Sequence, residues 1–81
     1  METGEYVENI FLGAIVERTR KRIEEGRDDK GWVNFDEFMD ILKAGGEIRR
    51  FNAEQRGGNY VHEIEYEGLI FQTVTREIVF Y

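Results

Sequence analysis

Cysteine, proline and serine are absent from the 81 residues, and histidine and tryptophan occur once each. Without cysteine there are no disulfides, no zinc–thiolate sites and no thiol nucleophile, and the redox compartment is left open. Without serine, a hydroxyl nucleophile would have to be a threonine, and none stands beside His62 in sequence. A metal site would need His62 plus carboxylates from elsewhere, because its neighbours Glu63 and Glu65 alternate onto the opposite face of a strand. The expectation is a chain with no cofactor and no enzymatic activity. No apolar run reaches the roughly 18 residues of a membrane span. Glu2, Glu5 and Glu8 precede the first apolar stretch, which is the wrong charge for a secretory signal, so the expected location is cytoplasmic (the host cytoplasm if phage-encoded).

What is present in excess is negative charge. Seventeen acidic residues against eleven basic ones give a net charge of −6, which opposes direct nucleic-acid binding and attraction to anionic membranes. The charges are segregated. Arg18, Arg20, Lys21 and Arg22 form a basic knot, and Glu63, Glu65 and Glu67 an acidic stripe. Hydrophobic residues make up 41% and aromatics 14%, enough for one domain over residues 1–81 with a core rich in phenylalanine and tyrosine.

Hydrophobic spacing predicts a first helix over about 6–25, closed by Gly26, and a second over about 35–44, where Phe35, Phe38, Met39 and Leu42 share one face. The run "IFLGAIV" (Ile10 to Val16) is apolar all round, which suits a deeply buried helix, one shared with another chain, or a short buried strand. After Gly45-Gly46 the period changes to two. Strands are expected over about 47–52, 60–66 and 69–80, the last two joined by a Glu67-Gly68 turn that pairs Tyr66 with Leu69, Ile64 with Phe71 and His62 with Thr73. Tyr60, His62, Ile64, Tyr66, Leu69 and Phe71 then face the core, and Val61, Glu63, Glu65, Ile70, Gln72 and Val74 the other side. The fold class that follows is α+β, ααβββ, with two helices packed on one face of a three-stranded antiparallel sheet.

"GRDDKGWVNFDEF", Gly26 to Phe38, resembles the calcium loop of an EF-hand. Set on the loop's glycine at Gly31 and its terminal glutamate at Glu37, the frame matches at Asp28, Val33 and Glu37. It lapses at two ligand places, where Gly26 offers no side chain and Lys30 brings a cation. The resemblance implies at most a degenerate calcium site with Asp28 and Glu37 as ligands. A capped helix start explains the second half equally: Asn34 as N-cap, Glu37 reaching back to it, and Val33 and Phe38 as a hydrophobic staple.

Two modes of action follow from charge and apolar distribution. Same-face residues on a strand lie about 6.8 Å apart, so Glu63, Glu65 and Glu67 would present a crude phosphate-like row. A small, acidic, non-enzymatic module could use that row, with Trp32, to occlude the basic surface of a nucleic-acid-handling protein, as phage or mobile-element inhibitors of the anti-defence or anti-CRISPR type do. The alternative is a homo-oligomeric binder of a nucleotide-like ligand, with Arg49, Arg50, Arg76, Tyr60 and His62 lining a cleft. Phe11, Leu12, Ile15, Phe80 and Tyr81 are the candidate subunit interface.

Overall fold

Ile10–Val16 is helical. The computed structural model describes residues 3–80, with side-chain environments from Phe11 to Phe80, and the run lies within helix α1 (Thr3–Glu24). Leu12, Ile15, Val16 and Thr19 recur at helical spacing and are buried, while Phe11, Gly13 and Ala14 face outward. Gly26, at φ +75°, ends the helix: its N–H reaches the Ile23 carbonyl (3.0 Å) and the Arg27 N–H the Arg22 carbonyl (2.8 Å).

Helix α2 (Phe35–Lys43) starts at a reciprocal cap. The Glu37 N–H donates to Asn34 Oδ1 (2.8 Å), and the Asn34 N–H donates to Glu37 Oε1 (2.9 Å). Gly45, at φ +112°, closes the helix, and the Gly46 N–H bonds the Ile41 carbonyl at 2.9 Å. Gly46 is also confined: a Cβ there would lie 2.8 Å from Ile64 Cδ1 and 2.9 Å from the Ile41 carbonyl oxygen.

Four strands are present among the described residues, one more than the sequence pattern implies: β1 (Gly31–Trp32), β2 (Glu47–Gln55), β3 (Asn59–Tyr66) and β4 (Leu69–Thr75). Their order in the sheet is β1-β4-β3-β2, with β1 parallel to β4 and the other pairs antiparallel. The sheet is therefore mixed and four-stranded, not three-stranded and antiparallel, within the α+β class. Two residues are too short to show a period, which is why β1 escapes a sequence reading. Glycine permits it, because a Cβ on Gly31 would lie 2.5 Å from Phe71 Cδ1. The Val33 N–H extends the pairing by donating to the Gln72 carbonyl (3.0 Å).

The β3–β4 hairpin has the register expected of a two-residue turn, with Tyr66 opposite Leu69, Ile64 opposite Phe71 and His62 opposite Thr73. Glu67 (φ 52°) and Gly68 (φ 78°) both take the positive φ that such a turn requires. Strand β4 stops at Thr75 and does not continue to residue 80. The tail is instead clamped by one side chain: the Val79 N–H donates to Asn52 Oδ1 (3.0 Å), and Asn52 Nδ2 donates to the Val79 carbonyl (2.8 Å).

Both helices pack on one sheet face. The core there gathers Leu12, Ile15 and Val16 of α1, Phe38 and Ile41 of α2, and Ile64, Leu69 and Phe71 of the hairpin. Both described helices are spent on this core, and among the described residues none covers the opposite face of the sheet.

Candidate functional site

Strand alternation turns Trp32, Glu63, Glu65, Ile70, Gln72 and Val74 away from the helices. Trp32 is 56% exposed and Val74 43%, which leaves apolar surface on this uncovered side. Strand β2 makes the face more than an alternating strip. Its register against β3 slips between Ile48 and Arg50 and again between Arg50 and Ala53, each slip placing an extra residue in β2. As a result the adjacent Arg49 and Arg50 both pair with β3 glutamates, while Ile48 and Phe51 pack on the core.

The three glutamates of the stripe are thereby answered one by one. Lys30 Nζ lies 3.2 Å from Glu63 Oε2 and donates to Gln72 Oε1 at 3.0 Å. An Arg50 guanidinium nitrogen lies 3.6 Å from the same Glu63 oxygen. Arg49 pairs with Glu65, and Arg20 of α1 stands 3.8 Å from Glu67, which sits in the turn and not on a strand. Glu63 keeps only 15% of its side chain in contact with solvent. The stripe is therefore part of a mixed-charge network and not a bare acidic row. The exposed Glu65 and Glu67 pairs add little stability, while the Lys30–Glu63–Gln72 cluster is sheltered enough to matter. Glu63→Lys, which sets a third cation against Lys30 and Arg50, is expected to destabilise the fold by about 1–3 kcal/mol. Urea denaturation against the parent chain measures it.

The residues proposed for a small-ligand cleft do not converge. Arg49 and Arg50 lie in the open-face network, Arg76 is exposed beyond β4, and Tyr60 and His62 belong to the helix-covered face. His62 is fully buried, with its ring 5.0 Å from Phe51, 5.8 Å from Phe35 and 5.9 Å from Phe38, each edge-on. Its Nδ1 accepts the Asn52 N–H (3.0 Å), so the ring proton sits on Nε2, which contacts Thr75 Oγ1 at 2.9 Å. The Thr75 hydroxyl donates onward to the Glu77 carbonyl (2.9 Å). Burial pushes the His62 pKa down, which holds the ring neutral. The histidine is thus the hub between the β2 bulge and the C-terminal tail.

The two carboxylates of the calcium-loop reading have other partners. Asp28 binds the Arg22 Nε at 2.5 Å, and Glu37 caps α2. Among the described residues no group of three acidic or histidine side chains is placed to hold a metal. Of the candidate interface residues, Phe11 (65% exposed) and Phe80 (90%) are at the surface, Leu12 and Ile15 are core residues, and Tyr81 lies outside the described residues.

Sequence reasoning missed three contributors. Lys30, read as a misfit in a metal loop, is the hinge of the open-face network. Gln72 is its neutral anchor, 8% exposed. The bulges that aim Arg49 and Arg50 leave no trace in a period-two pattern. A groove of about 280 Å³ at the edge of the face, between α1 and β1, is lined by Arg18, Arg22, Asp28, Lys30 and Trp32, and Asp28 and Glu63 already neutralise two of its three cations. No helix among the described residues is long and apolar enough to cross a membrane. Comparison with protein-family models, with curated proteins and with solved structures found no match.

Proposed function

We propose that this chain is a non-enzymatic protein-binding module that meets its partner with the uncovered face of its sheet. The observation that carries the reading is that no described helix lies over one face of the four-stranded sheet, which buries Val61 and Gln72 in its middle and exposes Trp32 and Val74 beside a pre-formed ion-pair network. Tryptophan and arginine are the residue types that most often anchor protein interfaces, and here Arg49 and Arg50 are already held by Glu65 and Glu63 before contact. Mutual pairing of the charges changes what the partner must look like. Lys30, Arg49 and Arg50 against Glu63 and Glu65 call for an apolar patch with mixed polar groups around it, not a uniformly basic groove.

The net charge of −6 supports an inhibitory role of the kind mobile elements encode, in which an acidic module covers another protein's working surface. The sheet face supplies the contact in that reading, and the overall charge supplies steering toward a basic partner. Trp32→Ala combined with Val74→Ala is expected to abolish partner binding in a pull-down while leaving the circular dichroism intact. Glu67→Lys, on the turn, is expected to leave it within a factor of about three. Retention of partner by the double variant would overturn the reading.

A further inference from the structure

The helical layer carries a second surface, unlike the first. The outer side of α1 has no polar residue between Phe11 and Ala14, and Phe11 is 65% exposed. Beside it, between α1 and α2, runs a groove of about 260 Å³ with Phe11 and Ala14 on one wall, Arg18 toward one end, and Glu37 and Asp40 of α2 opposite. Among the described residues neither Arg18 nor Asp40 has an ion-pair partner. With an unpaired cation on its α1 wall and carboxylates on its α2 wall, the groove is charge-complementary to a second copy of itself placed about a twofold axis. Turned about that axis, Arg18 of one copy meets the acidic wall of the next, and the two phenylalanines share the middle.

The geometry points to this face as the contact between two copies of the chain, in which Phe11 packs against its symmetry mate and Arg18 pairs with the partner's Asp40. Association buries the apolar stripe that the all-round hydrophobic run "IFLGAIV" leaves on the surface after Leu12, Ile15 and Val16 have filled the core. It also goes beyond the partner-binding reading. The helices lie on one side of the sheet and the open face on the other, so a dimer joined through the helices presents two open faces outward. Such a molecule binds bivalently, and an arrayed or symmetric target holds it more tightly than one face alone.

Sedimentation of the full chain at micromolar concentration tests this. The parent is expected to run as a dimer, and Phe11→Asp as a monomer with unchanged circular dichroism. Arg18→Glu and Asp40→Lys set like charges against each other at both ends of the twofold contact, so each alone is expected to be monomeric. An equimolar mixture restores both ion pairs and is expected to form a heterodimer. These substitutions leave the sheet face untouched, so monomeric variants still capture partner, which separates a failure here from a failure of the partner-binding reading. A parent chain that stays monomeric at about 100 µM, or single variants that remain dimeric, or folded variants that do not pair on mixing, would each overturn the proposal.

Discussion

Lowering the pH from about 7.5 to 5.5 is expected to destabilise the fold through His62. Burial lowers the pKa of this ring in the folded state, while the unfolded chain takes up the proton near pH 6.5. Over that window the unfolded state binds more protons than the folded one. Stability is therefore full above about pH 6.5 and falls as the pH drops below it, until the folded-state pKa is reached. The groups packed on the ring are Phe35 and Phe38 of α2, Phe51 and Asn52 of β2, and Thr73 and Thr75 of β4, and none of them titrates. A protonated ring also has nothing to offer Asn52, since an Nδ1–H would face the Asn52 N–H. That conflict loosens the bulge, and with it the Asn52 clamp on Val79. Urea denaturation at several pH values measures the slope. His62→Gln is expected to flatten it between pH 7.5 and 5.5, although the variant starts less stable. Equal slopes in parent and variant would show that His62 does not carry the effect.

Gly31→Ala is the substitution with the largest expected effect for its size. The new methyl would meet Phe71 Cδ1 at 2.5 Å, Phe71 Cε1 at 2.8 Å and Thr19 Cγ2 at 2.9 Å. Phe71 is wholly buried, so its ring cannot swing aside without disturbing the core. A destabilisation of about 1–3 kcal/mol is expected, a fall of roughly 5–20 °C in melting temperature for a domain of this length. Gly13→Ala is the control. It lies in α1 with nothing within 4 Å of its new Cβ, and it should stabilise the chain by about 0.5–1 kcal/mol. If the two substitutions behave alike, β1 does not dock against Phe71 as described.

The parts of this fold that could be read from sequence are those in which neighbouring residues determine the outcome. Asn34 and Glu37 spell a cap because the bonds they make close within three residues. Glu67-Gly68 spells a two-residue turn, and that turn sets the register of β3 and β4 without help from elsewhere. The parts that could not be read depend on distant partners. Strand β1 exists because Gly31 fits beneath Phe71, forty residues away in the chain, and two residues carry no periodic signal. The bulges of β2 look like any polar strand until His62 is seen accepting the Asn52 N–H. For the same reason the acidic stripe reads in sequence as a bare, evenly spaced row of glutamates. Its meaning changed once Lys30, Arg49, Arg50 and Arg20 were found beside it. Trp32 shows the limit in a single residue: the sequence offers it as a contact residue, and its place in β1 opposite Gln72 and its exposure come only from the fold.

The claim at the centre of this account is that the uncovered sheet face is where the partner sits. A photoreactive residue placed at Val74, on that face, and in a separate chain at Lys43, at the far end of α2, tests it most directly. After irradiation with the partner bound, the Val74 position is expected to yield one adduct of discrete mass, absent from a chain that also carries Trp32→Ala. The Lys43 position is expected to yield no partner adduct. Partner adducts from Lys43 with none from Val74 would contradict the account, because they would put the partner on the helices and leave the open face without a role.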